Sequence, residues 1–135
     1  EVEVPEKSVP QLFDEMADKY SGKVALIFYG KKIKYGELKN LTDRFAAALS
    51  DLGVAKGETV ALYLLNCPQY VIAYIGALKI GAKVTPISPV YTSQEVTHQL
   101  EDSETKTIIS EDILYDNVEK ANVDLDNIIL SSIGD

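Results

Sequence analysis

The chain has 135 residues, of which 46% are apolar, so it is long enough to bury one hydrophobic core, and a single domain spanning residues 1–135 is expected. Its formal net charge of -8 excludes a typical nucleic-acid-binding protein, because phosphate backbones are bound by clustered Lys and Arg and no basic run is present. The single cysteine, Cys67, excludes an intramolecular disulfide and suits a reducing compartment, which favours a cytoplasmic location.

Neither a signal peptide nor a transmembrane helix is predicted. Residues 1–10 are acidic and lack the apolar stretch of a signal peptide. The uncharged stretch 59–78 is about as long as a bilayer span, but Asn66, Pro68 and Gln69 lie at its centre, where polar groups would be costly in lipid. A short strand followed by a helix is therefore expected there.

The first predicted elements are a helix and a β-hairpin. Ser8 and Gln11 form a capping box for a helix over residues 9–20. The apolar face of this helix consists of Val9, Leu12, Phe13, Met16, Ala17 and Tyr20. An apolar and aromatic run, 24–29, is followed by Gly30-Lys31 and then by residues 32–35. This order predicts an antiparallel hairpin with Gly first in a two-residue turn.

A second helix follows the hairpin and ends at Gly53. Lys39 and Asp43 are expected to form an i,i+4 pair on its solvent side. Its buried face is predicted to consist of Leu38, Leu41, Phe45, Ala48, Leu49 and Leu52.

The rest of the chain alternates between strands and helices. The predicted strands are 59–65, 83–87, 106–110 and 127–132. The predicted helices are a buried one at 67–80 capped by Asn66, one that opens with a Thr92–Glu95 capping box and runs to about 102, and a short one near 112–120.

Strands separated by helices of ten or more residues cannot pair as hairpins, so a parallel sheet with right-handed crossovers is expected. The predicted fold class is α/β: a three-layer unit with a mainly parallel sheet, helices on both faces and an N-terminal β-hairpin. The sequence stops directly after a predicted strand, which suggests that it is a fragment of a longer protein.

The residues alone identify no active site. His98 is the only imidazole and is expected to face solvent in mid-helix, since nothing near it in sequence would orient it as a base. Cys67 lies at the first turn of a helix, where amide dipoles could lower its thiol pKa, or it is a small packed residue. The acidic clusters 101–104 and 124–126 lack the spacing of a calcium loop. Neither a metal site nor a glycine-rich phosphate loop is predicted.

Two segments carry a recognisable signature. The segment 33–38, with Tyr35, Glu37 and Leu38, resembles the first core motif of the adenylate-forming superfamily. This superfamily comprises acyl-CoA synthetases, luciferases and peptide-synthetase adenylation domains. Lys34 stands where the motif usually has Ser or Thr. The segment 77–88, Ala-Leu-Lys-Ile-Gly-Ala-Lys-Val-Thr-Pro-Ile-Ser, is similar to the second core motif. Segments 89–92 and 100–103 continue the resemblance, which covers about residues 10–109.

The resemblance implies that the chain is part of the large N-terminal domain of an AMP-forming acyl-CoA synthetase for long- or medium-chain fatty acids. In that family the motifs build the scaffold, here Tyr35, Glu37, Leu38, Leu78, Gly81, Ala82 and Pro86. The family's phosphate loop, ribose-binding Asp and catalytic Lys have no counterpart in this sequence. The chain is therefore expected to have no catalytic, cofactor-binding or metal-binding residues and to be inactive alone, whereas the longer protein would use ATP, Mg and CoA.

What this chain could contribute is one wall of the acyl or pantetheine tunnel. Ligands of parallel α/β sheets bind outside the carboxyl ends of the strands, and the loop 87–91 follows such an end. The candidate wall residues are Ile87, Ser88, Pro89 and Tyr91.

The expected partners are the remainder of the adenylation domain and the C-terminal domain. A truncated unit would also expose the apolar face that its missing neighbour covers and could form a homodimer through that face. The alternative is a stand-alone, non-catalytic α/β interaction module, because one fold hosts many functions. Such a module is expected to be monomeric and to bind no hydrophobic dye.

Overall fold

A computed structural model describes residues 8–65 and 67–131. The helices are α1 (Val9–Lys19), α2 (Tyr35–Asp51), α3 (Pro68–Lys79), α4 (Ser93–Asp102) and α5 (Tyr115–Ala121), with a 3-10 helix (Asp112–Leu114) directly before α5. The strands are β1 (Val24–Phe28), β2 (Lys31–Lys34), β3 (Thr59–Tyr63), β4 (Lys83–Pro86), β5 (Thr107–Glu111) and β6 (Asn127–Ser131). The predicted cap Asn66 and the last residue of the predicted strand 127–132 lie outside the described residues.

The sheet is parallel, and its four strands follow the order β4-β3-β5-β6. A helix lies in each connection between successive strands of the sheet, because parallel neighbours cannot be joined by a tight turn. Helices α2 and α3 pack on one face of the sheet, and α4 and α5 pack on the other. The predicted three-layer α/β fold with a separate antiparallel hairpin, β1-β2, is confirmed.

Strand β3 lies at the centre of both hydrophobic clusters. Its residues Val60, Ala61, Leu62 and Tyr63 are all 0% exposed. Because side chains alternate along a strand, Val60 and Leu62 join the cluster under α2 and α3, whereas Ala61 and Tyr63 join the cluster under α4 and α5. This placement accounts for the near-continuous apolar sequence of β3, Thr-Val-Ala-Leu-Tyr, because a strand covered on both faces needs apolar side chains on each.

The hairpin turn lies one residue earlier than predicted. Phe28 pairs with Lys31, so the two turn residues are Tyr29 and Gly30 rather than Gly30 and Lys31. Their φ angles are 51° and 79°, as required in a type I′ turn. The sequence obscured this turn because a tyrosine rarely adopts a positive φ.

The helix boundaries agree with the capping signals. Both predicted capping boxes, Ser8–Gln11 and Thr92–Glu95, are present. Helix α3 begins at Pro68 with Cys67 as its N-cap residue, one position later than predicted. The uncharged stretch 59–78 is divided between β3 and α3, and within residues 8–65 and 67–131 no helix is long and apolar enough to cross a membrane.

The buried faces of the helices differ from the predicted ones. In α1 only Ala17 is buried, and the apolar residues Val9, Leu12, Met16 and Tyr20 are exposed. In α2 the predicted core residues Leu38 and Leu49 are buried, as are Thr42 and Ala46, which were not predicted. The predicted Ala48 and the C-cap residue Leu52 are exposed. In α3, which was expected to be buried almost all round, the buried residues are Ala73, Gly76 and Ala77.

A close helix crossing decides which side of α2 is buried. A Cβ atom added to Gly76 of α3 would lie 2.9 Å from Cδ2 of Phe45 and 3.3 Å from the carbonyl oxygen of Thr42. Residues 42–46 therefore face α3 at short range. Ala48 lies further round the helix and is exposed, and Leu52 is exposed as the C-cap residue after the end of α2.

Ion pairs connect α1, α2 and α3. The predicted Lys39–Asp43 pair within α2 is wrong, because both residues bind other helices. Lys39 Nζ lies 3.0 Å from Asp18 Oδ1 of α1, and Asp43 Oδ1 lies 2.6 Å from Lys79 Nζ of α3. Lys79 also contacts Asp14 Oδ1 of α1 at 2.9 Å, and its side chain is only 8% exposed.

We expect Lys79→Met to destabilise the fold by roughly 1–3 kcal/mol, because it removes the charge between two carboxylates while keeping most of the apolar stem. Lys39→Met is the matched control: its ion pair is more exposed and better screened by solvent, so the expected loss of stability is clearly smaller. Urea denaturation followed by circular dichroism measures both values. Equal free energies of unfolding for the two variants would contradict the bridging role of Lys79.

Candidate functional site

The candidate site lies at the carboxyl edge of the parallel sheet. Strands β3, β4, β5 and β6 all end there, and β4 leads directly into the loop 87–91. In open α/β sheets this edge is where ligands bind, since the loops that follow the strands converge there. The loop therefore lies where the sequence analysis expected it.

The four predicted wall residues have different environments. Ile87 donates its backbone N–H to the carbonyl oxygen of Leu62 at 2.9 Å, and its side chain is 3% exposed within the cluster under α4 and α5. Ser88, Pro89 and Tyr91 are half-buried. Ile87 thus anchors the loop to β3, and the other three residues are accessible to a ligand.

A polar contact fixes the far end of this loop. The side-chain amide of Asn117 in α5 donates to the Tyr63 hydroxyl at 3.0 Å and to the Tyr91 carbonyl oxygen at 3.4 Å. Tyr63 is fully buried, and a buried hydroxyl without a hydrogen-bond partner is costly. The Asn117 amide supplies that partner. Neither residue could be identified from the sequence, because the two are 54 positions apart and share no motif.

A second polar contact lies beside the end of β5. The Cys67 thiol donates to Oε1 of Glu111 at 3.6 Å, and Glu111 is only 1% exposed. Burial raises the pKa of the Cys67 thiol and the Glu111 carboxylate raises this pKa further, which outweighs the Tyr70 backbone hydrogen bond. The helix amides therefore do lower the Cys67 pKa, but burial outweighs them and the net direction is upward, opposite to a reactive thiolate.

His98 is exposed on α4, as predicted. It lines a cleft of about 380 Å³ together with Gln94, Glu95, Gln99, Asp102 and Tyr91 of the candidate loop. Glu101, Glu104 and Asp124 border a larger open cleft of about 750 Å³ at the amino ends of the strands, opposite the candidate site. In the part of the chain that the structure describes, no group of three or more His, Cys, Asp or Glu residues could hold a metal ion.

The residues of the two family motifs lie around the start of α2 and between α3 and β4. Tyr35 begins α2, and its backbone N–H donates to the Lys23 carbonyl oxygen at 2.9 Å. Gly81 follows α3 with a φ of 78°, and a Cβ there would lie 2.8 Å from Cγ of Lys56. Of the other motif residues, Leu38 and Ala82 are buried, Leu78 is half-buried, Glu37 is exposed in the first turn of α2, and Pro86 ends β4.

We expect the rate of Cys67 alkylation by iodoacetamide to rise with pH. The apparent thiol pKa of this profile should lie above the usual range of about 8–9. Glu111→Gln removes a negative charge that disfavours the thiolate, so the apparent pKa should fall. Glu119→Gln, on the exposed side of α5, is the control and should leave the pKa unchanged. An apparent pKa below that of a free thiol would contradict the arrangement.

Comparison with known proteins gives consistent matches. The family described as "AMP-binding enzyme" matches residues 13–133. The long-chain-fatty-acid–CoA ligase of Bacillus subtilis (strain 168) is 34% identical over 100% of this chain and 24% of its own length. The long-chain-fatty-acid–CoA ligase of Salmonella typhimurium is 33% identical over 96% of this chain and 24% of its own length.

Solved structures share the fold. The long-chain-fatty-acid-CoA ligase FadD1 from Archaeoglobus fulgidus aligns with a TM-score of 0.87 and 28% identity, over 96% of this chain and 28% of that protein. The NpsA N-terminal subdomain of Klebsiella oxytoca, in complex with 3-hydroxybenzoyl-AMSN, aligns with a TM-score of 0.83 and 27% identity, over 92% of this chain and 30% of that one. The chain thus spans about a quarter of the length of the curated relatives that it matches. It belongs to the family of AMP-binding, adenylate-forming enzymes.

Proposed function

We propose that the protein to which this chain belongs is an AMP-forming acid–CoA ligase that acts on a fatty acid. In this reaction the carboxylate attacks the α-phosphorus of ATP, pyrophosphate leaves, and the acyl-adenylate forms. The CoA thiol, as its thiolate, then attacks the acyl carbon, and AMP leaves. The observation that carries the proposal is the 34% identity to a long-chain-fatty-acid–CoA ligase along the entire chain.

In that protein, this chain would provide part of the scaffold and one wall of the acyl or pantetheine tunnel. Three features of the carboxyl edge support this role. The loop 87–91 follows a parallel strand, Ile87 fixes its first residue to the core, and Asn117 holds its last residue. Ser88 and Pro89 are left between two fixed points, which suits a surface that must keep its shape against a flexible acyl chain.

The residues described here do not fit a Mg-ATP site. The acidic side chains do not converge as metal ligands within residues 8–65 and 67–131, and the sequence has no glycine-rich phosphate loop. We therefore propose that ATP, Mg and CoA are bound by parts of the protein outside this chain, and that residues 1–135 alone are inactive.

The cytoplasm is the proposed compartment, since the chain's only cysteine, Cys67, suits a reducing one.

We expect the longer polypeptide to catalyse ATP–pyrophosphate exchange that depends on a fatty acid and to form acyl-CoA when CoA is added. Residues 1–135 alone should show no exchange in the same assay. A panel of short-, medium- and long-chain and aromatic acids identifies the substrate class. If no acid supports exchange, the ligase assignment is wrong; if residues 1–135 turn over ATP, the proposed location of the chemistry is wrong.

We expect Ser88→Phe in the longer polypeptide to raise KM for long-chain acids by roughly tenfold, because a large ring at a half-buried wall position costs binding energy of about 1–2 kcal/mol. Its kcat, and its KM for short acids, should change little. Val90→Phe is the matched control, since Val90 belongs to the same loop but is 87% exposed. Equal effects of both variants, or none from Ser88→Phe, would exclude Ser88 from the acyl path.

A further inference from the structure

A side-chain amide holds the candidate loop 87–91 at its start. The amide nitrogen of Gln99 in α4 donates to the Pro86 carbonyl oxygen at 2.7 Å and to Thr85 Oγ1 at 3.0 Å. Both N–H groups of the amide are therefore used, one on the backbone directly before the loop and one on a side chain of β4. Gln99 is half-buried, so water competes only in part for these hydrogen bonds.

A second amide holds the loop at its end. Asn117 in α5 repeats the arrangement through its contacts with the Tyr63 hydroxyl and the Tyr91 carbonyl oxygen. One of its N–H groups bonds to a side chain of the sheet, and the other bonds to the loop backbone. Gln99 and Asn117 belong to two helices that pack together on one face of the sheet. The two ends of the loop are thus tied to the same helical layer, and each tie also reaches a strand.

Between the two amides the loop bonds to itself. The Tyr91 N–H donates to the Ser88 carbonyl oxygen at 3.1 Å, and the Val90 N–H donates to Ser88 Oγ at 3.4 Å. The hydroxyl and carbonyl oxygens of Ser88 are therefore engaged within the loop, and the half-buried rings of Pro89 and Tyr91 offer a largely apolar surface. Such a surface favours an acyl chain over a pantetheine arm, whose amide groups need hydrogen-bond partners.

We propose that Gln99 and Asn117 are positioning residues that fix the wall of the acyl tunnel and so determine the affinity for long acyl chains. Neither amide touches the substrate, because each acts through a backbone carbonyl at one end of the loop. A wall that is held at both ends presents Pro89 and Tyr91 without the entropic cost of ordering them when the ligand binds. The acyl chain as ligand rests on the proposed ligase function, whereas the holding of the loop rests on the hydrogen bonds alone.

Both amides can be converted to acids of the same shape. Gln99→Glu and Asn117→Asp replace an NH2 donor by a carboxylate oxygen, so near neutral pH an unprotonated oxygen faces the carbonyl oxygen at that end of the loop. The sheet hydroxyl that each amide contacts can still donate to the new carboxylate. Each variant therefore breaks the contact at the loop and keeps the contact at the sheet.

Hydrogen exchange of the longer polypeptide, followed by mass spectrometry, tests whether the amides hold the loop. We expect the backbone amides of residues 88–91 to exchange about threefold to tenfold faster in Gln99→Glu and in Asn117→Asp, because losing a hydrogen bond eases local opening. Gln94→Glu is the matched control: it adds the same charge at an exposed position of α4 in the same cleft as Tyr91, and the rates should not change. Unchanged rates in β3 show that each variant is folded. Unchanged loop rates in both variants would overturn the proposal.

Steady-state kinetics of the same polypeptide test the link to the acyl chain. We expect Gln99→Glu and Asn117→Asp to raise KM for long-chain acids by roughly fivefold to tenfold. The kcat, and the KM for short acids, should stay within about twofold, because a short chain makes fewer contacts with the wall. Tyr63→Phe separates positioning from stability: it removes the buried hydroxyl, lowers the melting temperature and keeps the contact of Asn117 with the loop, so KM should not change.

Three kinetic results would overturn the proposal: no rise in KM for long-chain acids, equal rises for short and long acids, or a rise in Tyr63→Phe as large as that in Asn117→Asp. Failure of the ligase function itself gives a different result. If no acid supports pyrophosphate exchange, the acyl role falls with the proposed function, and the hydrogen exchange of residues 88–91 alone decides whether the two amides hold the loop.

Discussion

The complete burial of β3 is the constraint on which the rest of the structure depends. A strand paired on both edges and covered on both faces must supply apolar side chains to two separate clusters in strict alternation. Its last residue, Tyr63, is the exception, because it carries a hydroxyl group into the interior. That hydroxyl bonds to Asn117 at the carboxyl edge, so the strand that unites the two clusters also orders the loop of the candidate site.

The order of elements could be predicted because most of them carry a local signal for their beginning or end. The capping boxes at Ser8 and Thr92 and the left-handed Gly53 and Gly81 act over three or four residues, so the sequence displays them directly. The buried faces could not be predicted equally well. Ala48 and Leu52 follow the helical spacing of a core but are exposed, because α3 packs closely against the side of α2 that carries Thr42 and Phe45, and Leu52 is the C-cap residue beyond the end of the helix.

The candidate site was predictable only where topology or family resemblance determines it. The position of the loop 87–91 follows from the end of a parallel strand, so the sequence indicated it before its contacts were known. The contacts themselves join Cys67 with Glu111 across 44 positions and Tyr63 with Asn117 across 54, and no local pattern links such pairs. Lys79 illustrates the same limit: its motif was recognised, but its contacts with Asp14 and Asp43 depend on how three helices pack.

The two clusters on either side of β3 also determine how the molecule opens. Val60 to Tyr63 are fully buried and belong to the two clusters, so we expect their amide hydrogens to be among the slowest in the chain to exchange with solvent. Helix α1 is different, because Ala17 is its only buried residue and neither cluster includes a residue of this helix; the ion pairs of Lys39 and Lys79 connect it to α2 and α3. We expect α1 to open more readily than the sheet, and salt to weaken its exposed Lys39–Asp18 pair.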